Sequence, residues 1–421
     1  MSESVNFNAR AAEILERCKL LATFSEDRMG TRRTFLSPPM RDCHRQITDW
    51  LAASGAEVHV DTAGNLRGFY AGSEANVPRL LIGSHLDTVP KAGAYDGVLG
   101  VMIAVCLVDS LQRQKLPFAI EVVGFSEEEG VRFGKPFIGS RALVGRLDEE
   151  MLNCRDADGI SIRGAIEDFG LNSAEIARAE IGEDTLGYLE FHIEQGPVLE
   201  SAQRPLGVVE RIVAQTRMEL VFSGATNHAG TTPMGHRRDA VAGAAEWIVS
   251  VEHTGKITPG LVATVGVIEA TPGAINAIPG LARVTLDVRH GSDEICAQAA
   301  EKLVKQAEEI TARRGLGFRN RVLLRQQSVK MDPFLIEQSE KAIRGIGCEP
   351  HRMASGAGHD AMILAEKVPA GMIFLRSPGG ISHDPAESVE VGDVAKALQC
   401  GIHLLRQLAQ SSEFLKRTCR A

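Results

Sequence analysis

The sequence predicts an α/β protein: a mixed, largely parallel sheet flanked by helices and interrupted by a ferredoxin-like α+β insertion. Short apolar runs alternate with helical patterns, as the βαβ units of a parallel sheet do. Near Gly207 the pattern changes to strand, helix, two strands, helix and strand, the ferredoxin-like order. After Asp332-Pro333 the first pattern returns, so the main domain is discontinuous: residues 1–210 and 328–421, with the insertion at 211–327.

Taking the elements in order, residues 8–22 and Arg41–Ala53 carry helical periodicity. A strand around Glu57–Val60 and a turn at 61–65 lead into Leu66–Tyr70. Leu80-Leu81-Ile82 reads as a buried strand that ends in Gly83-Ser84 and delivers His85 and Asp87; Asp96 follows after a loop. Gly97–Leu111 is apolar almost all round, as a helix buried against a sheet is. Phe118–Phe125 is a second apolar strand and runs directly into Ser126-Glu127-Glu128-Glu129. Residues 146–186 are polar and predict helices over the sheet face, and Tyr188–Ile193 is a third strand with His192 near its end. In the insertion, strands at Arg217–Phe222, Leu261–Ala270, Ala282–Arg289 and Phe318–Leu324 alternate with helices at Asp239–Val251 and Ser292–Arg313. The last segment predicts helices at Phe334–Ile346 and Asp360–Ala365 and a strand at Ala370–Leu375. A loop then reaches His383, and a helix closes the chain at Val391–Leu408.

Composition narrows the function. A chain of 421 residues with 44% hydrophobic and 24% charged residues is an ordinary globular protein. A net charge of −8 leaves no basic footprint for nucleic acid. No apolar run reaches the roughly 18 residues that a membrane span needs, and the polar N-terminus lacks the pattern of a secretory signal. Eight scattered cysteines without a CxxC pair predict reduced thiols and a cytoplasmic protein, and make zinc held by cysteine improbable. Histidine and carboxylate remain.

Four apolar strands end in such residues: His85, Glu128-Glu129, His192 and the loop holding His383, with Asp96 beside the first. Taken singly, each of these histidines reads more readily as a hydrogen-bonded structural residue than as a ligand, and an isolated Glu-Glu-Glu run as a solvated turn. The shared strand-end placement favours ligation. His85, Asp96, Glu129, His192 and His383 suffice for two divalent ions with positions left for water. Glu128 is placed to act as general base. Asp87 is near enough to take the second ring proton of His85.

GSHLDTV, YDGVLG, EEEGVRF, FHIEQGP and GGISHDPAE together resemble the M20 metallopeptidase family. The closer likeness is to its amidohydrolase branch of N-carbamoyl-L-amino acid hydrolases, β-ureidopropionases and allantoate amidohydrolases. The resemblance implies a di-metal exopeptidase-like catalytic domain with the insertion as lid and dimerisation domain. It also implies two divalent ions per subunit, zinc or manganese, with cobalt or nickel also suited. Asp96 would bridge the ions, and His85, His192, Glu129 and His383 would complete them. His228 would stabilise the tetrahedral oxyanion, reaching across from a partner subunit. Asn276 and Arg289 would hold the substrate carboxylate, Gln195 would contact the ureido or amide group, and Gly358 would let backbone approach the substrate. The branch commonly has asparagine where this chain has Glu127. The expected partner is a small ureido or amide substrate bearing a carboxylate, and the expected assembly a homodimer through the insertion. The other readings are an aminoacylase or dipeptidase of the same fold, or a non-catalytic metal-binding homologue.

Overall fold

The computed structural model describes residues 6–417; Cys419 and the first five residues lie outside the described residues. The chain divides into two compact units, Met1–Glu210 with Lys330–Ala421, and Arg211–Val329.

In the first unit the strands Ala370–Leu375, Thr185–Ile193, Arg79–His85 and Ala119–Phe125 lie side by side, each parallel to its neighbour, within a nine-stranded sheet. They are buried almost throughout, and strands covered on both faces read as unbroken apolar runs rather than as alternation. Antiparallel strands extend the sheet on both sides: Leu206–Ile212 beside Ala370–Leu375, and Leu66–Tyr70 beside Ala119–Phe125. The helix Val98–Ser110 is buried from Val98 to Val108. A side chain at its Gly100 would stand 2.0 Å from the Phe191 carbonyl oxygen, so glycine sets how closely this helix approaches the sheet.

Two sequence expectations in this unit are corrected. The segment expected to form helices over the sheet makes only short ones, Glu149–Leu152 and Ile162–Asp168, with a 3-10 stretch at Ser173–Ala179. Its few apolar residues, among them Leu152, Ile162, Ile166 and Ala179, close a small separate core with Phe35 and Ile138. The loop after Asp87 is in fact a strand, Thr88–Ala92, paired antiparallel with Thr31–Arg33. Pro90 is tolerated there because a two-stranded ribbon leaves edge positions that need no donor.

The second unit is an antiparallel sheet whose central strands Ala214–Ser223 and Leu281–His290 are flanked by Gly317–Gln326 and Val262–Thr264. Ala282, Val284, Leu286 and Val288 are buried in one core with Trp247 and Leu303, which belong to the helices Ala240–Ile257 and Asp293–Arg314. The residues that alternate with them are half-exposed, as expected of a sheet covered on one face. The strand expected at Leu261–Ala270 is broken into Val262–Thr264 and Ile268–Thr271. Between the pairs Thr264–Asp287 and Ile268–Val284, residues 265–267 on this side stand opposite residues 285–286 on the partner strand. The extra residue is a bulge. Thr285 holds it, with its hydroxyl accepting from the Val267 N–H at 3.0 Å and its own N–H donating to the Val267 carbonyl at 3.1 Å.

Candidate metal centre

Because the four buried strands run parallel, their carboxyl ends fall at one edge of the sheet, where such sheets hold ligands. His85 closes its strand, His192 precedes the last residue of the next, and Glu128 and Glu129 follow Phe125. His383 comes in the loop after Ala370–Leu375, beyond the 3-10 turn Pro378–Gly380. Asp96 sits just before the buried helix. Gly97, at φ +66°, turns the chain there, and a side chain on it would stand 2.5 Å from the His85 ring.

These side chains converge on Asp96. His192 Nε2 lies 3.4 Å and His85 Nε2 4.0 Å from Asp96 Oδ1, and the two Nε2 atoms are 3.3 Å apart. On the other oxygen, His383 Nε2 is 3.2 Å from Asp96 Oδ2 and 3.4 Å from Glu129 Oε1. Two donor groups, His85–Asp96–His192 and Asp96–Glu129–His383, therefore share one carboxylate. Donors about 2.0–2.1 Å from a tetrahedral ion stand about 3.3 Å from each other, so the spacing suits a divalent cation in each group. The tautomers suit it too. His85 Nδ1 lies 2.9 Å from the Asp87 carbonyl oxygen and His192 Nδ1 2.8 Å from that of Ile193, which places the ring proton on Nδ1 and leaves Nε2 as a lone-pair donor.

The electrostatics point the same way. Burial, then the neighbouring Glu129, push the Glu128 carboxyl well above the usual carboxylate range, with Asp360 and Asp87 adding to it against His85. Burial also raises Glu129, in spite of its bond to His383. Asp96 is held below the usual range: burial opposes ionisation, but His383, His192 and His85 outweigh it. Bonds to Asp96 and Glu129 push His383 up to about 10, and burial pulls His192 down to about 4. Carboxylates crowded into a dry site repel one another, and a dication relieves that repulsion.

Asp87 reaches His85 in two ways: its main-chain carbonyl lies 2.9 Å from the ring Nδ1 and its carboxylate 3.6 Å from the same atom. The carboxylate also accepts the N–H groups of Glu128 (2.9 Å) and Glu129 (3.0 Å), fixing the backbone that carries both acids. Gln195 joins the cluster: its Nε2 is 2.9 Å from Asp96 Oδ1 and 3.4 Å from His383 Nε2. Gly358 packs against Phe137, whose Cζ would be 3.0 Å from an added Cβ.

The remaining expected residues belong to the second unit. His228 and Asn276 are exposed and brought together, since the Ala229 N–H donates to the Asn276 carbonyl at 2.9 Å and His228 bridges to Ala277. Arg289 donates through Nε and Nη2 to the two oxygens of Asp287, at 2.9 Å each, so one side of its fork is already engaged.

Sequence reasoning overlooked two buried groups near the cluster, Glu190 and Glu387. Glu190 accepts from the Ser84 hydroxyl at 2.9 Å and from the Ala361 N–H at 3.0 Å, and burial pushes it up to about 7. It lies two residues before His192 on one strand, so period-two spacing put both on the same face. His359 is buried beside them, bonds Ser355 at 3.0 Å and places its ring centroid 4.5 Å from that of His192. Glu387 accepts from the Asp96 N–H at 3.0 Å.

Residues 81–410 match the profile described as peptidase family M20/M25/M40. An N-carbamoyl-L-amino acid amidohydrolase of Geobacillus stearothermophilus is 37% identical over 384 residues, covering 90% of this chain and 94% of its own. An allantoate amidohydrolase of Escherichia coli (strain K12) is 36% identical over 403 residues, covering 94% and 97%. Among solved structures, an amidase of the hydantoinase/carbamoylase family from Burkholderia multivorans superposes with a TM-score of 0.87 at 30% identity, over 94% of this chain and 97% of that one.

Proposed function

The chain belongs to peptidase family M20/M25/M40 and is a hydrolase of linear amides; from that premise we propose that it cleaves a C–N bond of a ureido acid. The substrate class is an N-carbamoyl-L-amino acid or allantoate, with release of ammonia, and of CO2 from carbamoyl substrates. The observation that carries this reading is the pair of donor groups sharing Asp96. His85 and His192 would hold one divalent ion and Glu129 and His383 the other, with the Asp96 carboxylate available to both. Zinc or manganese would be the occupant, with cobalt or nickel also suited to these donors according to availability. When bound, the ions supply Lewis-acid polarisation of the carbonyl and acidify water at the site.

Glu128 takes the proton of the attacking water and passes it to the leaving nitrogen. The Asp87 carboxylate keeps Glu128 in place through the main chain. His228 stabilises charge on the tetrahedral oxygen, Asn276 and Arg289 grip the substrate carboxylate, and Gln195 and Gly358 position the ureido group. The bidentate bond from Asp287 fixes the guanidinium plane of Arg289 for that grip. The same reading makes the protein a homodimer through the second unit. Its strand Gly317–Gln326 pairs along one edge only among the described residues and exposes Val322 and Leu323. It also makes the protein cytoplasmic, which the seven free cysteines among the described residues suit. No helix among the described residues is long and apolar enough to cross a membrane.

Metal-stripped enzyme reloaded in turn with zinc, manganese, cobalt or nickel tests the reading, with ammonia followed from allantoate, N-carbamoyl-L-amino acids and N-carbamoyl-β-alanine. Metal-dependent ammonia release from one of these is expected. No release from any, together with cleavage of N-acyl amino acids or dipeptides, would assign the chain to the aminoacylase or dipeptidase reaction instead.

A further inference from the structure

Glu387 ends the acidic part of the GGISHDPAE motif and has no role in the mechanism above. It is 5% exposed and makes no ion pair among the described residues. A buried acid without a countercharge is costly unless hydrogen bonds satisfy it. Here they do. Oε1 accepts the N–H groups of Tyr95 (2.9 Å) and Asp96 (3.0 Å), and Oε2 accepts the Ser382 hydroxyl at 3.2 Å. The Ser382 oxygen also accepts from Gln195 Nε2 at 3.2 Å, and the same Nε2 donates to Asp96 Oδ1 at 2.9 Å. Asp96, Glu387, Ser382 and Gln195 thus form a closed ring of hydrogen bonds drawn from three distant stretches of chain.

The ring includes one candidate ligand, Asp96, and the immediate neighbour of another, His383. Two of the residues it steadies, Gln195 (φ +59°) and His383 (φ +57°), are non-glycine residues held in the left-handed region, a conformation that persists only where surroundings impose it. The Asp96 loop is also folded hard onto Glu387, since a side chain at Gly93 would stand 2.5 Å from Glu387 Cβ.

We propose that Glu387 is a positioning residue. Through the Asp96 main chain and Ser382, it sets the separation of Asp96 from His383 and so the affinity for the second cation. The inference rests on the reading that Asp96, Glu129 and His383 hold that ion. Second-ion affinity of the full chain, measured by metal analysis after dialysis against graded zinc, is the test, with far-UV circular dichroism of each metal-free variant as the folding control. Wild type is expected to bind two ions. Glu387→Ala should keep the first and lose about 10- to 100-fold in affinity for the second, the usual effect of removing a ligand's outer partner. Glu387→Gln, which keeps an acceptor for the two N–H groups, should lose several-fold less.

Unchanged second-ion affinity in Glu387→Ala, equal loss of both ions, or equal losses in the two variants would overturn the proposal. A wild type that binds fewer than two ions, or His383→Ala retaining both, would instead remove the metal reading and the proposal with it. Should Glu387→Ala not fold, Ser382→Ala opens the ring with a smaller change and should still weaken the second ion; no change there counts against the proposal.

Discussion

In the first unit His85, Asp96 and His192 are each at most 2% exposed, whereas in the second His228 and Asn276 stand in solvent on a loop. The first group is held by side chains and carbonyls on parallel strand ends, the second by a few main-chain bonds near a strand end. Burial does different work in the two places. A dry, crowded set of carboxylates and imidazoles is costly unless a cation completes it, so that region is organised for metal. An exposed imidazole on a surface loop is, on the proposed reading, placed to meet a ligand that comes and goes. Metal content and turnover should therefore be separable by mutation.

The largest expected effect comes from Glu128→Gln, which should lower kcat by about 10²–10⁴-fold while both ions stay bound. Metal analysis beside initial rates checks it, and near-wild-type turnover would take Glu128 out of the base role. His228→Ala should lower kcat by about 10²–10³-fold, again with metal content intact. Loss of metal in that variant would erase the distinction between the two regions.

A third outcome concerns the metal-free protein, in which His383, pushed up to about 10, is charged at neutral pH. A ligand must be deprotonated, so uptake of the second ion should release about one proton, and its affinity should fall about tenfold for each pH unit lowered. Calorimetry in buffers of different ionisation enthalpy measures that proton, and uptake without release would contradict the His383 assignment.

The smallest effect is on stability. Burial, with Arg33 and Arg41, pulls His44 down to about 3 from 6.5, and neither ring nitrogen has a hydrogen-bond partner among the described residues. Below pH 6.5 the unfolded chain binds a proton that the folded chain refuses, so stability falls as pH drops from there towards 3. The slope from this one group is at most about 1.4 kcal/mol per pH unit. Urea unfolding of wild type and His44→Leu at pH 7 and pH 5 measures it, and equal pH dependence in the two would rule His44 out as the source.

The sequence by itself determined the strands that lead into His85, Glu128-Glu129 and His192. Apolar runs such as Leu80–Ile82 and Phe118–Phe125 are local patterns, and the residues that follow them are read directly. Once the strands are parallel, their ends must share an edge, which places His85, Glu129 and His192 together; His383, beyond the turn Pro378–Gly380, is brought in by its loop. Only the tertiary structure decided what surrounds them. That the Asp87 carboxylate holds the Glu128 main chain, and that Glu387 reaches back to Asp96, depend on hydrogen bonds between residues 41 and 291 positions apart in the chain. The break within Leu261–Ala270 likewise came from pairing with Thr285. Periodicity reports which face of an element is buried; it carries no information on which distant donor meets which acceptor, because packing in three dimensions sets that geometry.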